Sequence, residues 1–104
     1  MSPTTATATG PALLDQAFDL HPQVAVRPES FGALLYHFGT RRLSFLKDRR
    51  LLAVVHQLPG SETARQACFA AGLSAAELPA YERALRQLAA TDMIVERTTP
   101  RELP

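Results

Sequence analysis

The chain has 104 residues, 46% hydrophobic and 20% charged, with a net charge of +1 and a single cysteine, Cys68. That length suffices for one domain with a modest core and argues against a deep catalytic cavity. The charge balance gives no ground for a nucleic-acid or anionic-membrane partner, and a lone cysteine excludes an internal disulfide and a cysteine-built zinc site, as suits a reducing compartment.

No apolar run approaches the ~20 residues of a spanning helix. The start also lacks the basic-then-apolar pattern of a signal peptide, so a cytoplasmic protein is expected. Residues 1–11, MSPTTATATGP, offer no aliphatic side chain beyond Met1 and read as a tail. ALLDQAF (12–18) is either a turn of helix or a segment lying on the core. TTPRELP (98–104) is aperiodic with two prolines and reads as a second tail. The expected organisation is thus a flexible segment over 1–18, a folded domain over 19–97 and a flexible segment over 98–104.

Within the domain, QVAVR (23–27) alternates, with Val24 and Val26 on one face, as a half-buried strand does. ALLYHF (33–38) is apolar on both faces, which suits a central strand. Gly39–Thr40 supplies a turn, glycine being able to take positive φ. RLSFL (42–46) alternates again, setting Leu43 and Phe45 against Arg42, Ser44 and Leu46. These three segments predict an antiparallel meander.

The period then changes. Asp48 is a good N-cap, and Leu51, Leu52, Val55 and Leu58 fall on one helical face that ends at Pro59–Gly60. Ser61 is placed to cap a second helix with a small-residue stripe (Ala64, Ala67, Cys68, Ala71), which Gly72 stops. Ser74 and Glu77 are spaced as a capping box, and Leu73 and Leu78 as a hydrophobic staple. Pro79 falls too late for the first helical position, which sets the first turn apart from the rest. Leu78, Tyr81, Leu85 and Leu88 make the third stripe, with Ala84 beside it, and MIV (93–95) returns to the core as a short strand. The expected fold is α+β, a three-stranded antiparallel sheet followed by a three-helix bundle, winged-helix-like in its element content.

No catalytic constellation emerges. Cys68 lies on a small-residue face with no histidine alongside, which makes it a buried small hydrophobe. His21, His37 and His56 share no metal-ligand spacing, and there is no glycine-rich phosphate loop. The chain is therefore not expected to be an enzyme or to carry a cofactor. RRLSFLKDRR (41–50) holds five of the eleven basic residues. It reads equally as a solvated rim that blunts an edge strand and as a docking surface for an acidic partner. The alternative of a small winged-helix DNA-binding regulator is weaker. The third helix offers only Arg83, Arg86 and Gln87 as readers, and the strands precede the helices instead of forming a wing after them.

The blocks VAVRPESFGALLYHFGTRRLSFLKDRRLLAVVHQLPG and GLSAAELPAYERALRQLAATDMIV resemble the PqqD-like peptide-recognition domains of ribosomal-peptide maturation systems, in particular those of mycofactocin type. The resemblance runs from about Phe18 to Arg97. It implies a non-catalytic chaperone that captures a ribosomally made precursor peptide as an added strand beside the third strand and against the third helix. The guest is then presented to a radical S-adenosylmethionine maturase in mycofactocin biosynthesis. Strand addition draws affinity from the edge's N–H and C=O groups and selectivity from side-chain pockets. Peptide-binding residues carried over by position are Arg42, Leu43, Ser44, Phe45 and Leu46 on the strand, and Tyr81, Ala84, Leu85 and Leu88 on the helix. Arg41, Lys47, Arg83, Arg86 and Gln87 would form the rim or touch the partner. Leu43 and Phe45 are expected to face the core and Arg42, Ser44 and Leu46 the groove. Leu85 reads equally as core or as guest contact.

Overall fold

A computed structural model of the protein describes residues 13–97. Residues 1–12 of the expected N-terminal segment and the whole of the expected segment 98–104 lie outside the described residues. The element order is a 3-10 turn Leu13–Asp15, β1 (Phe18–Leu20), β2 (Val24–Glu29), β3 (Gly32–His37), β4 (Arg42–Leu46), α1 (Arg49–Gln57), α2 (Ala64–Ala70), α3 (Leu78–Ala90) and β5 (Ile94–Glu96). Strands β2, β3 and β4 form a three-stranded antiparallel meander in that spatial order, so β4 is an edge. Helix α1 packs against β3 and β4 on one face of it, and α3 runs beside β4.

MIV forms part of β5, which pairs antiparallel with β1 in a second, two-stranded sheet. Leu13 and Leu14 in the 3-10 turn and Phe18 in β1 are buried in the core, ahead of residue 19, where the folded domain was expected to begin. The Arg97 guanidinium fastens this corner. It donates to the carbonyls of Phe18 (2.9 Å) and Leu58 (3.0 Å) and pairs with the Asp19 carboxylate (3.1 Å).

The core lies between the meander and the helices. Leu35, Leu46, Val54, Leu58, Leu85, Met93 and Ile94 are among its fully buried side chains. Leu51, Val55 and Leu58 are inside as their spacing predicts, but Val54 is inside too, while Leu52 is only half-buried. Ala64, Ala67 and Cys68 are buried where α2 packs. Burial pushes the Cys68 thiol up, and it has no accessible surface, which leaves it a packing residue.

The caps explain most element ends. Asp48 caps α1, its carboxylate accepting from the Arg50 N–H at 2.7 Å. Thr63, not Ser61, caps α2, accepting from the Gln66 N–H at 3.1 Å. Ser61 instead donates its hydroxyl to the Gln57 carbonyl at the end of α1. Helix α2 ends in a Schellman motif at Gly72 (φ 94°), with Leu73 N–H on the Cys68 carbonyl and Gly72 N–H on that of Phe69. Before α3, the Glu77 carboxylate accepts from the Ser74 N–H (2.9 Å), and a short 3-10 turn, Ala75–Glu77, stands apart from the helix proper as the late Pro79 predicts.

The turn between β3 and β4 differs from expectation. Positive φ is carried by Arg41 (65°) and not by Gly39. His37 sets this turn. It is buried, and its Nδ1 accepts the N–H groups of both Gly39 (3.0 Å) and Thr40 (3.1 Å). Its ring also packs against that of His21, with centroids 4.2 Å apart.

Candidate functional site: a strand edge beside a helical groove

The register of β3 decides which way β4 faces. Beyond Gly32 at its start, the buried residues of β3 are Ala33, Leu35 and His37, and they lie opposite Leu46, Ser44 and Arg42. Cross-strand partners share a face, so the even-numbered residues of β4 look towards the helices. Leu46 is accordingly sealed in the core, with 1% of its surface exposed, and Ser44 is half-buried. Leu43 and Phe45 point to the opposite face and are 54% and 58% exposed. This reverses the expectation that Leu43 and Phe45 face inward, and it seats the Leu46 side chain in the core beneath the edge. Alternation within RLSFL defines two faces without labelling them. The fully buried side of the neighbouring strand labels them.

Beside β4, two adjoining hollows of about 280 Å³ each run along α3. One is lined by Ser44, Phe45, Leu46, Leu51, Ala84, Gln87, Leu88 and Thr91, the other by Lys47, Asp48, Leu51, Ala80, Tyr81 and Ala84. Leu51 and Ala84 belong to both, so the two form one groove with a mostly apolar floor. The small side chains of Ala80 and Ala84 keep it open. Edge strand and groove lie side by side, which strand addition requires.

Of the expected helix contacts, Tyr81, Ala84 and Leu88 line the groove, whereas Leu85 is fully buried and belongs to the core. Gln87 and Lys47 are at the groove. Arg83 and Arg86 are exposed beyond it, and Arg86 bonds Glu82 one turn away at 2.9 Å. Arg41 and Arg42 are exposed at the start of the strand. Leu51, Ala80 and Thr91 were missed. Ala80, Ala84, Gln87 and Thr91 follow a helical stripe that the sequence does show, but Leu51 belongs to another element, and only the packing brings it here.

One end of the groove is held by a polar network. The Tyr81 hydroxyl donates to the Asp48 carboxylate, Arg50 pairs with Glu77 at 2.6 Å, and the Arg50 guanidinium lies 5.9 Å from the Tyr81 ring centre. The bond to Asp48 foremost, then burial, pushes the Tyr81 phenol up to about 12. Partial burial alone would raise Asp48, but the Tyr81 hydroxyl and the N–H groups of Arg50 and Leu51 together hold it below its usual value. Arg50, then the Ser74 N–H, holds Glu77 down at about 2. These groups are occupied with one another, and none is paired with a nucleophile or a base in a catalytic arrangement. Among the described residues no cluster of three or more His, Cys, Asp or Glu side chains is set to hold a metal.

The sequence profile of the peptide chaperone MftB family matches residues 17–95. The chain belongs to the peptide chaperone MftB family. It is 55% identical to peptide chaperone MftB of Mycobacterium tuberculosis over 82% of this chain and 78% of that protein. It is 57% identical to the protein of the same name from Mycobacterium ulcerans, over 78% of this chain and 74% of the relative. The Mycolicibacterium smegmatis relative is 52% identical over 78% of this chain and 79% of its own length. No solved structure matches significantly. The MftB match runs from β1 into β5, and so includes both the β4 edge and the groove. A peptide chaperone is a binding protein and not an enzyme, and the MftB family assignment agrees with the lack of a catalytic constellation in the sequence. No helix among the described residues is long and apolar enough to cross a membrane.

Proposed function

We propose that this chain is a PqqD-like, cytoplasmic peptide chaperone of mycofactocin biosynthesis. It binds a ribosomally made precursor peptide as a fourth strand on β4 and presents it to a radical S-adenosylmethionine maturase. The observation that carries this reading is the outer edge of β4, which pairs with no other strand among the described residues, beside the groove along α3. In an antiparallel sheet every second residue of an edge strand directs its N–H and C=O away from its neighbour. A guest backbone satisfies those groups, and its inward side chains enter the groove over Leu51, Ala84 and Leu88. Ser44, Tyr81 and Gln87 supply polar contacts at the walls. The names of the MftB relatives support a peptide as the guest.

Titration with a synthetic mycofactocin-type precursor peptide, followed by amide NMR at moderate salt, tests this. Saturable shifts concentrated in 42–46 and 78–91 are expected. Shifts spread over the β1–β5 corner, or none at peptide concentrations well above micromolar, would overturn it.

A further inference from the structure

The face of the meander turned away from the helices carries two cross-strand rows. One runs Arg27–Leu34–Phe45 and the other Ala25–Tyr36–Leu43, from β2 through β3 to β4. Their two ends are unlike. On β2 the edge is blunted, by Pro28, which has no N–H to offer, and by the Arg27–Glu29 ion pair at 3.0 Å. On β4 the rows stop at Leu43 and Phe45, which are 54% and 58% exposed. Behind them Tyr36 and Leu34 are half-buried, and the Phe31 ring meets that of Phe45 edge to face, with centroids 6.3 Å apart. Each of the two side chains thus has an apolar neighbour on the β3 side and no strand beyond it among the described residues. Large apolar side chains on an edge without charge or proline invite a further strand.

Resting on the peptide-capture reading, we infer that Leu43 and Phe45 are a second selectivity surface for the guest. The captured segment is apolar on both faces, with β-branched or aromatic side chains outward against these two residues. The geometry follows from strand pairing. Side chains along a strand alternate between its faces, and directly opposed residues of paired strands share a face, their Cβ atoms about 5 Å apart. A guest on β4 that sends side chains into the groove over Leu51, Ala84 and Leu88 must set the intervening ones outward, in line with Leu43 and Phe45. They prolong the two rows onto a fourth strand and cover the bare flank of each side chain. Capture by the groove alone would accept polar residues at every second guest position, as a half-buried strand does. Capture by both faces rejects them. A second copy of the chain fits this edge less well. Its β4 presents Arg42, Ser44 and Leu46 on the inner face, and Leu46 is sealed in its own core, so the apolar floor of the groove would stay uncovered.

The test is a serine scan of the synthetic mycofactocin-type precursor peptide, titrated into the full chain and into its Leu43→Ser and Phe45→Ser variants. Both positions are exposed, and circular dichroism checks the fold. With the wild type, serine should weaken binding at consecutive guest positions, inward and outward alike, by about threefold or more at the outward ones. Each variant should weaken the parent peptide by a similar factor. Each should also shrink the effect of serine at the one guest position opposite it, the coupling that contacting residues show. Losses confined to every second guest position, with both variants binding the parent peptide at wild-type affinity, would overturn the inference and leave capture in the groove standing. A wild type that binds no peptide would overturn capture and the outer rows together. A dimer that Phe45→Ser dissolves and the peptide fails to displace would give the rows to a second copy, and would overturn the inference as well.

Discussion

The Tyr81 hydroxyl donates to the Asp48 carboxylate, so the helix that walls the groove is tied to the N-cap of the helix that floors it. Tyr81→Phe keeps the ring and removes this bond, and it should cost about 1 kcal/mol. The phenol's pKa is raised from 10.0 to about 12, so its contribution is fully present below pH 10.0 and is lost as the pH rises through about 12. Asp48 is lowered from 3.8, so its share is present above that value and fades as the pH falls below it. Urea denaturation across pH, and phenolate absorbance in a Tyr36→Phe background, check both. A Tyr81 that ionises near pH 10.0 would refute the bond.

The Arg50–Glu77 pair gives an acid signature. Glu77 is held near 2 against an ordinary 4.5, so folding should lose stability as the pH falls from 4.5 towards 2. Both side chains are well exposed, and salt should blunt the effect. Glu77→Gln should flatten that part of the pH profile and increase amide exchange at the start of α3, because the Ser74 N–H loses its anionic acceptor. An unchanged acid slope in the variant would show that other carboxylates carry it.

Much of this architecture is legible in the residues. Alternation in QVAVR, ALLYHF and RLSFL yields the meander, and Asp48, Gly72 and the Ser74–Glu77 pair mark real helix boundaries. The failures share a cause. Which face of RLSFL turns inward depends on its register with β3, and register is a relation between segments. The cap of α2 was misplaced because Ser61 and Thr63 are both good capping residues. The Thr63–Gln66 spacing, that of a capping box, is what distinguishes them. Strand β1 has only three residues and a partner at the far end of the domain, which local pattern cannot reveal. The groove's chemistry was half visible, as a stripe on α3. Its floor at Leu51 was not, since nothing in α1 alone says what stands across from it.

Gly32 is where β3 begins, at φ 151°, and a Cβ there would stand 1.9 Å from the Leu46 carbonyl oxygen. No side chain fits without displacing the β4 backbone. Gly32→Ala should therefore cost about 3 kcal/mol, from conformational strain and the forced separation of the strands. It should also weaken peptide binding, because the edge itself moves. Thermal unfolding and the β4 amide shifts would report this together. A variant as stable as the wild type would mean that the β3–β4 approach is looser than described.

Leu85 and Ala84 are neighbours on α3 with opposite duties, and substituting each separates stability from binding. Leu85 is fully buried, so Leu85→Ala should cost about 2–5 kcal/mol through lost burial and a residual cavity. Peptide affinity of the folded fraction should stay close to wild type, as the side chain does not reach the groove. Ala84 is half-buried and lines both hollows. Ala84→Leu should leave stability within about 0.5 kcal/mol, since the added atoms enter open space and leucine is a good helix former. The same atoms occupy the volume that the guest's side chains need, and affinity should fall about tenfold or more. Chemical denaturation and peptide titration on both variants give four numbers. Peptide bound normally by Ala84→Leu would move the guest off α3 altogether, leaving the β4 backbone as the whole of the site.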